Sequence, residues 1–210
     1  MRYQKNDKII AIFETKHFLL NIKNINPFEY EIIKILNINN ENDFKLHLIL
    51  PLCNPKINAL MFQKATELGV NLIIPFCFKQ SLSKLDQKSY LKKLTRYKLI
   101  VKEAGEQSNR NLKVKILNHL INWNEIKNYL LTNNFVCSLN GNKLQKNDFK
   151  KTKDTLIVIG PPKGFLIEEL EFFKSLNFKF IKLSNLVLRT ETALINALSI
   201  CNYLLNETFK

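Results

Sequence analysis

The feature that most constrains this chain is a change of period at Pro51-Leu52-Cys53-Asn54-Pro55. Before it, apolar stretches at 8–13, 18–22, 30–38 and 44–50 are separated by polar turns and read as β-strands. After it, Ile57, Leu60, Met61, Ala65 and Leu68 fall at helical spacing, and Gly69 suits the C-terminal cap. From there strand and helix alternate. Residues 70–76 read as a strand, and Tyr90, Leu94, Tyr97, Val101 and Ala104 make one face of a long helix. A helix is expected at 123–131, buried strands at 135–139 and 156–159, a helix at 168–176 and a strand at 178–183. The last helix, about 190–205, places Leu194, Ala197, Leu198, Cys201, Leu204 and Leu205 on one stripe, against its own sheet or a partner. Strands alternating with helices of this length imply a mostly parallel, doubly wound α/β sheet over 51–210, behind a β-rich domain over 1–50.

No apolar run approaches the ~18 residues of a membrane span, and the start has no apolar secretion core, so a cytoplasmic protein with no membrane partner is expected. Cys53, Cys77, Cys137 and Cys201 lie far apart with no histidine at ligand spacing, which points to buried thiols and no metal. The net charge of +14 favours a polyanionic partner, RNA or DNA, or an anionic membrane surface. Codon bias in a chain crowded with Lys, Asn and Ile explains much of it equally well. The same bias makes the four arginines, Arg2, Arg96, Arg110 and Arg189, informative, because Lys replaces Arg poorly where a planar fork is needed.

In an open α/β sheet ligands bind beyond the carboxyl ends of the strands. One such loop is Gly160-Pro161-Pro162-Lys163-Gly164-Phe165. Two prolines remove the backbone donors of a phosphate cradle, and no nucleotide-binding glycine motif is present. A stiff loop with Gly near each end either lets backbone approach a flat, uncharged moiety such as a nucleobase or is a tight structural turn. The loop after 183 runs Leu183-Ser184-Asn185-Leu186-Val187-Leu188-Arg189-Thr190-Glu191-Thr192-Ala193. Thr190 reads as an N-cap and Glu191 suits a first helical turn, whereas Arg189 opposes the helix dipole and has no structural reason to be there. The cluster Glu103-Ala104-Gly105-Glu106-Gln107-Ser108-Asn109-Arg110 is either a solvated helix end or part of a site.

Together with Gln63-Lys64-Ala65-Thr66-Glu67-Leu68-Gly69-Val70, these clusters resemble, in order and spacing, the SPOUT superfamily of RNA methyltransferases. The match is to the bacterial RsmE family, which methylates N3 of a uridine in 16S ribosomal RNA. It spans about residues 51–205, with Leu188-Arg189-Thr190-Glu191-Thr192-Ala193 its most specific part. The N-terminus is similar to the family's PUA-like RNA-binding β-barrel, shortened. The resemblance implies a C-terminal trefoil knot, a homodimer, and S-adenosylmethionine held by Leu139, Asn140 and Gly141, by Gly160, Pro161, Gly164 and Phe165, and by Leu183 and Leu188. It implies 16S rRNA or the small ribosomal subunit as substrate, and no metal. Arg189 and Arg110 become candidates for stabilising the uracil anion, with Glu191 orienting one of them. Pro162 and Lys163 stand where the family's loop carries Glu and Gly, and Ser184 where Gly is usual. The alternative from another class is a degenerate RNA-binding protein that keeps the fold without catalysis.

Overall fold

The structure is a computed structural model that describes residues 3–81, 86–150 and 153–206. Its larger sheet has six parallel strands in the order β6-β5-β4-β8-β7-β9, formed by β4 (Leu46–Pro51), β5 (Leu72–Phe76), β6 (Lys115–Ile116), β7 (Asn133–Lys143), β8 (Thr155–Val158) and β9 (Lys179–Lys182). Because side chains alternate along a strand, Leu46, Leu48 and Leu50 enter one core cluster and Ile49 the other. The first cluster is closed by helices α1 (Pro55–Glu67), α2 (Gln87–Gln107) and α4 (Thr190–Asn206), through Phe62, Tyr97 and Leu198 among others. The second is closed by α3 (Ile167–Ser175) with Phe173, and by Ile126 and Trp123 of a 3-10 helix, Trp123–Tyr129. A sheet covered on both faces explains the near-continuous apolar runs of its strands. This is the mostly parallel α/β class expected.

Asn54 caps α1, its side-chain oxygen accepting from Ile57 N at 3.0 Å, and Pro55 opens the helix where no N–H is needed. Gly69, at φ +84°, ends it. The stripe of α4 packs within its own chain: Leu194, Ala197, Leu198 and Cys201 are fully buried.

The chain divides into two compact units, Met1–Glu41 with Gly105–Lys113, and Asn42–Ala104 with Val114–Lys210. The division thus lies ahead of the expected one after residue 50, because β4 pairs with β5 and β8 in the large sheet. The first unit is an antiparallel sheet β1-β2-β3, of β1 (Lys8–Phe13), β2 (Lys16–Asn24) and β3 (Glu29–Leu36). Its first hairpin turns on Glu14 and Thr15, both at positive φ, a geometry usually met by Asn-Gly and so invisible to composition. Residues 105–113 join this unit through Asn111, whose side-chain amide donates to Thr15 O and Ile38 O at 2.7 and 2.8 Å.

Three further expectations change. The 123–131 helix is the seven-residue 3-10 turn, closed by a reciprocal Asn122–Glu125 capping box. Strand β7 runs on to Lys143, and the two-residue edge strand β6 is too short to leave a pattern. Helix α4 starts at Thr190, so Arg189, not Thr190, takes the capping position, its carbonyl accepting from Ala193 N at 2.8 Å.

Candidate functional site

The carboxyl ends of β7, β8 and β9 open onto a cavity of about 420 Å³ in the second unit. The end of β7 contributes Leu139 and Asn140, the loop after β8 contributes Gly160, Pro161, Gly164 and Phe165, and the loop after β9 contributes Leu183 and Leu188. Eight of the nine residues expected to hold a cofactor are therefore brought together. Gly141 is the exception. A Cβ there would stand 2.5 Å from Ile181 N and 2.6 Å from Phe180 C, so this glycine permits close backbone contact with β9.

Each loop is shaped by its neighbours. Gly164 N donates to Pro161 O at 2.8 Å, closing a turn with Pro162 and Lys163 at its centre and Gly164 at φ +80°. A Cβ on Gly160 would lie 2.8 Å from the Phe165 ring, which sits edge-on to Phe78 and Phe173 at centroid distances of 5.4 and 6.0 Å. The buried Glu169 carboxylate accepts from Leu166 N at 2.9 Å and Lys79 N at 3.0 Å, fixing the start of α3 to the segment after β5. Ser184 accepts from Leu186 N at 3.0 Å within the β9 loop.

The lining is largely apolar and backbone, and Lys163 is its one charged side chain among the described residues. The sequence did not assign Cys137, Ser138 or Leu170 to a site, and they also line the cavity. The signal for the first two was their place immediately before Leu139 on one strand. Desolvation pushes the Cys137 thiol well up, and the buried Cys201 thiol to about 12.

The three residues expected to be catalytic have different surroundings. Arg189 is exposed between the lining residues Leu188 and Thr190, and its guanidinium has no hydrogen-bond or ionic partner among the described residues. Glu191 makes no ion pair with Arg189 among the described residues. Burial, with the Glu191 charge adding to it, raises the Cys53 thiol to about 11. Arg110 belongs to the first unit, where Nη2 donates to Glu41 Oε2 at 2.6 Å and Nε to Oε1 at 3.2 Å. Burial alone would raise Glu41, but hydrogen bonds from Arg110 and Leu112 N and the guanidinium charge hold it below its usual range. The Arg110 fork is thus engaged inside the protein.

Comparison with known proteins bears on this geometry. Residues 40–202 match the model of the RNA methyltransferase domain. Over 200 residues the chain is 34% identical to ribosomal RNA small subunit methyltransferase E of Mesomycoplasma hyopneumoniae (strain 232), covering 94% of this chain and 86% of that one. It belongs to the ribosomal RNA small subunit methyltransferase E family. The Bacillus subtilis (strain 168) member is 30% identical over 218 residues, covering 97% of this chain and 84% of its own. A crystal structure of the Neisseria gonorrhoeae member bound to S-adenosyl methionine superposes with a TM-score of 0.83 at 25% identity, covering 96% of this chain and 84% of that one. Within the family, the Gly160–Phe165 turn and the Arg189 region of this chain fall inside the matched domain.

Proposed function

We propose that the protein is an S-adenosylmethionine-dependent methyltransferase acting on N3 of a uridine in 16S ribosomal RNA, in the cytoplasm and as a homodimer. The observation that carries this is the three-loop cavity, in a chain of this family, beside the unpartnered fork of Arg189. The residues fit the cofactor: the volume lies within the range of about 300–1,000 Å³ usual for small-molecule sites, and mostly neutral, apolar walls with exposed backbone suit an adenine. Leu139, Asn140, Gly160, Pro161, Gly164, Phe165, Leu183 and Leu188 would hold it. When bound, S-adenosylmethionine supplies an electrophilic methyl group.

The chain's own work is positioning and electrostatics. Uracil becomes nucleophilic at N3 as that nitrogen loses its proton to solvent, and negative charge then spreads onto the two carbonyl oxygens. A planar guanidinium can direct its N–H donors at one such carbonyl oxygen in a fixed geometry and leave N3 open to the methyl group, which a compact ammonium does less well. Arg189 is assigned this role because its fork is free where that of Arg110 is not. No helix among the described residues is long and apolar enough to cross a membrane, and no group of His, Cys, Asp or Glu among them could hold a metal ion.

The trefoil knot is part of the same reading. In its support, β7 pairs with β9 on both sides of a register shift between Cys137 and Asn142, both opposite Ile181, and a Cβ on Gly141 would stand 2.5 Å from Ile181 N. The non-catalytic alternative is not favoured.

The test is calorimetric titration with S-adenosylmethionine followed by single-turnover methylation of small-subunit rRNA by wild type and Arg189→Lys. Rate should fall about 10²–10³-fold in the variant while RNA affinity and its salt slope are unchanged. No cofactor binding at millimolar concentration, or a near wild-type rate for Arg189→Lys, refutes the corresponding assignment.

A further inference from the structure

Lys163 has surroundings that the reading above does not use. It lies at the centre of the turn closed by Gly164 N and Pro161 O, after two prolines whose rings fix φ, so its Cα is held on a stiff platform. Its side chain is exposed, lines the cavity, and has no hydrogen-bond or ionic partner among the described residues. The other polar side chains of the lining, Ser138, Asn140, Ser184 and Thr190, are neutral. A single cation thus lines an otherwise uncharged cavity, with no carboxylate partner among the described residues.

We propose that Lys163 is a specificity residue that receives the carboxylate of the methyl donor's amino-acid end. The inference rests on the cofactor reading, and it follows from charge. S-adenosylmethionine carries two positive groups, the sulfonium and the α-ammonium, and one negative group, the carboxylate. The only favourable ionic contact Lys163 can make with such a ligand is to that carboxylate. Placing the sulfonium or the ammonium beside it would set like charges together. Lys163 therefore biases the orientation as well as the affinity of the donor. An ammonium on a flexible stem at an open rim suits this task, because a carboxylate needs charge and one donor rather than a planar fork.

The discriminating pair of probes is S-adenosylhomocysteine, which keeps the amino-acid end, and 5′-methylthioadenosine, which keeps the nucleoside and thioether but lacks it. Calorimetric titration of wild type and Lys163→Met should show S-adenosylhomocysteine binding about 3- to 10-fold weaker in the variant, with 5′-methylthioadenosine unchanged. Lys163→Arg should keep most of the affinity. Equal weakening of both ligands would mean that the substitution only disturbs the turn, and no weakening of either would mean that the side chain is idle. Both overturn the proposal. So does a variant whose only loss is in RNA filter binding with a shallower salt slope, which would assign Lys163 to a phosphodiester. A wild-type protein that binds neither ligand refutes the cofactor reading itself, and this inference with it.

Discussion

Breaking the Glu41–Arg110 pair separates a structural arginine from a catalytic one. Both side chains are almost out of solvent, at 8% and 5% exposure, and two hydrogen bonds of 2.6 and 3.2 Å join them. Opposite charges about 4 Å apart attract by about 4 kcal/mol at an effective dielectric near 20, and desolvation offsets much of this. Removing one partner leaves the other charge buried and uncompensated, at a cost of about 3–5 kcal/mol. Glu41→Ala also strands Leu112 N, which donates to the same carboxylate at 2.9 Å. At about 1.4 kcal/mol per tenfold, hydrogen exchange at the Leu112 and Asn40 amides should quicken about 100- to 4,000-fold in Glu41→Ala and in Arg110→Met. The double variant Glu41→Leu/Arg110→Met should recover most of the loss, because neither charge remains. The Glu41 carboxyl is held below its ordinary value near 4.5, so the pair's contribution is full above that pH and is lost as pH falls through the lower folded-state value. Wild type and variants should therefore converge in acid. Exchange in Arg110→Met within twofold of wild type, together with abolished methylation, would refute this reasoning and return Arg110 to the catalytic list.

Gly160→Ala should force the Phe165 ring from its place against Phe78 and Phe173, lowering stability by about 1–3 kcal/mol and cofactor affinity about tenfold or more, read by thermal melting and calorimetry. Unchanged affinity would separate Phe165 from the cofactor wall. With thiols raised to about 11 and about 12, the buried Cys53 and Cys201 should resist iodoacetamide at pH 8 in the native protein and react once it is unfolded. Rapid native labelling of Cys201, followed by mass spectrometry, would contradict the burial of the α4 stripe.

The parallel sheet and its helices were legible because period carries the signal: β4, β5 and β8 are apolar on both faces, and α1, α2 and α4 repeat at 3.6 residues. What escaped depends on contacts distant in sequence. The cluster at 103–110 read as either a solvated helix end or part of a site, and only Asn111 and Arg110 meeting Thr15, Ile38 and Glu41 show that residues 105–113 belong to the first unit. The cavity loops were found from glycine and proline content and from their place after strands. Gly141 was found for a different reason from the one the structure gives, backbone proximity to β9 rather than a place in the lining. Cys137 was read only as a buried thiol, since nothing local to one cysteine marks a cavity wall.

The arginines show how far scarcity can be taken as evidence. In a chain with 32 basic residues of which four are Arg, an arginine that persists marks a position where a planar fork matters. That argument selected Arg110 and Arg189 alike, and both have a physical reason to be Arg. It is silent on whether the fork's partner is internal or a ligand. That depends on whether folding brings a carboxylate to it. Glu41, 69 residues away in sequence, reaches Arg110 and fills its fork, whereas no carboxylate among the described residues reaches Arg189. An uncompensated guanidinium beside a cavity is stable there because it stays exposed and hydrated, and it becomes strongly interacting only when a ligand displaces that water. Residue type therefore identifies the geometry a position needs, and the absence of an internal partner among the described residues is what supports the proposed role of Arg189 toward the substrate.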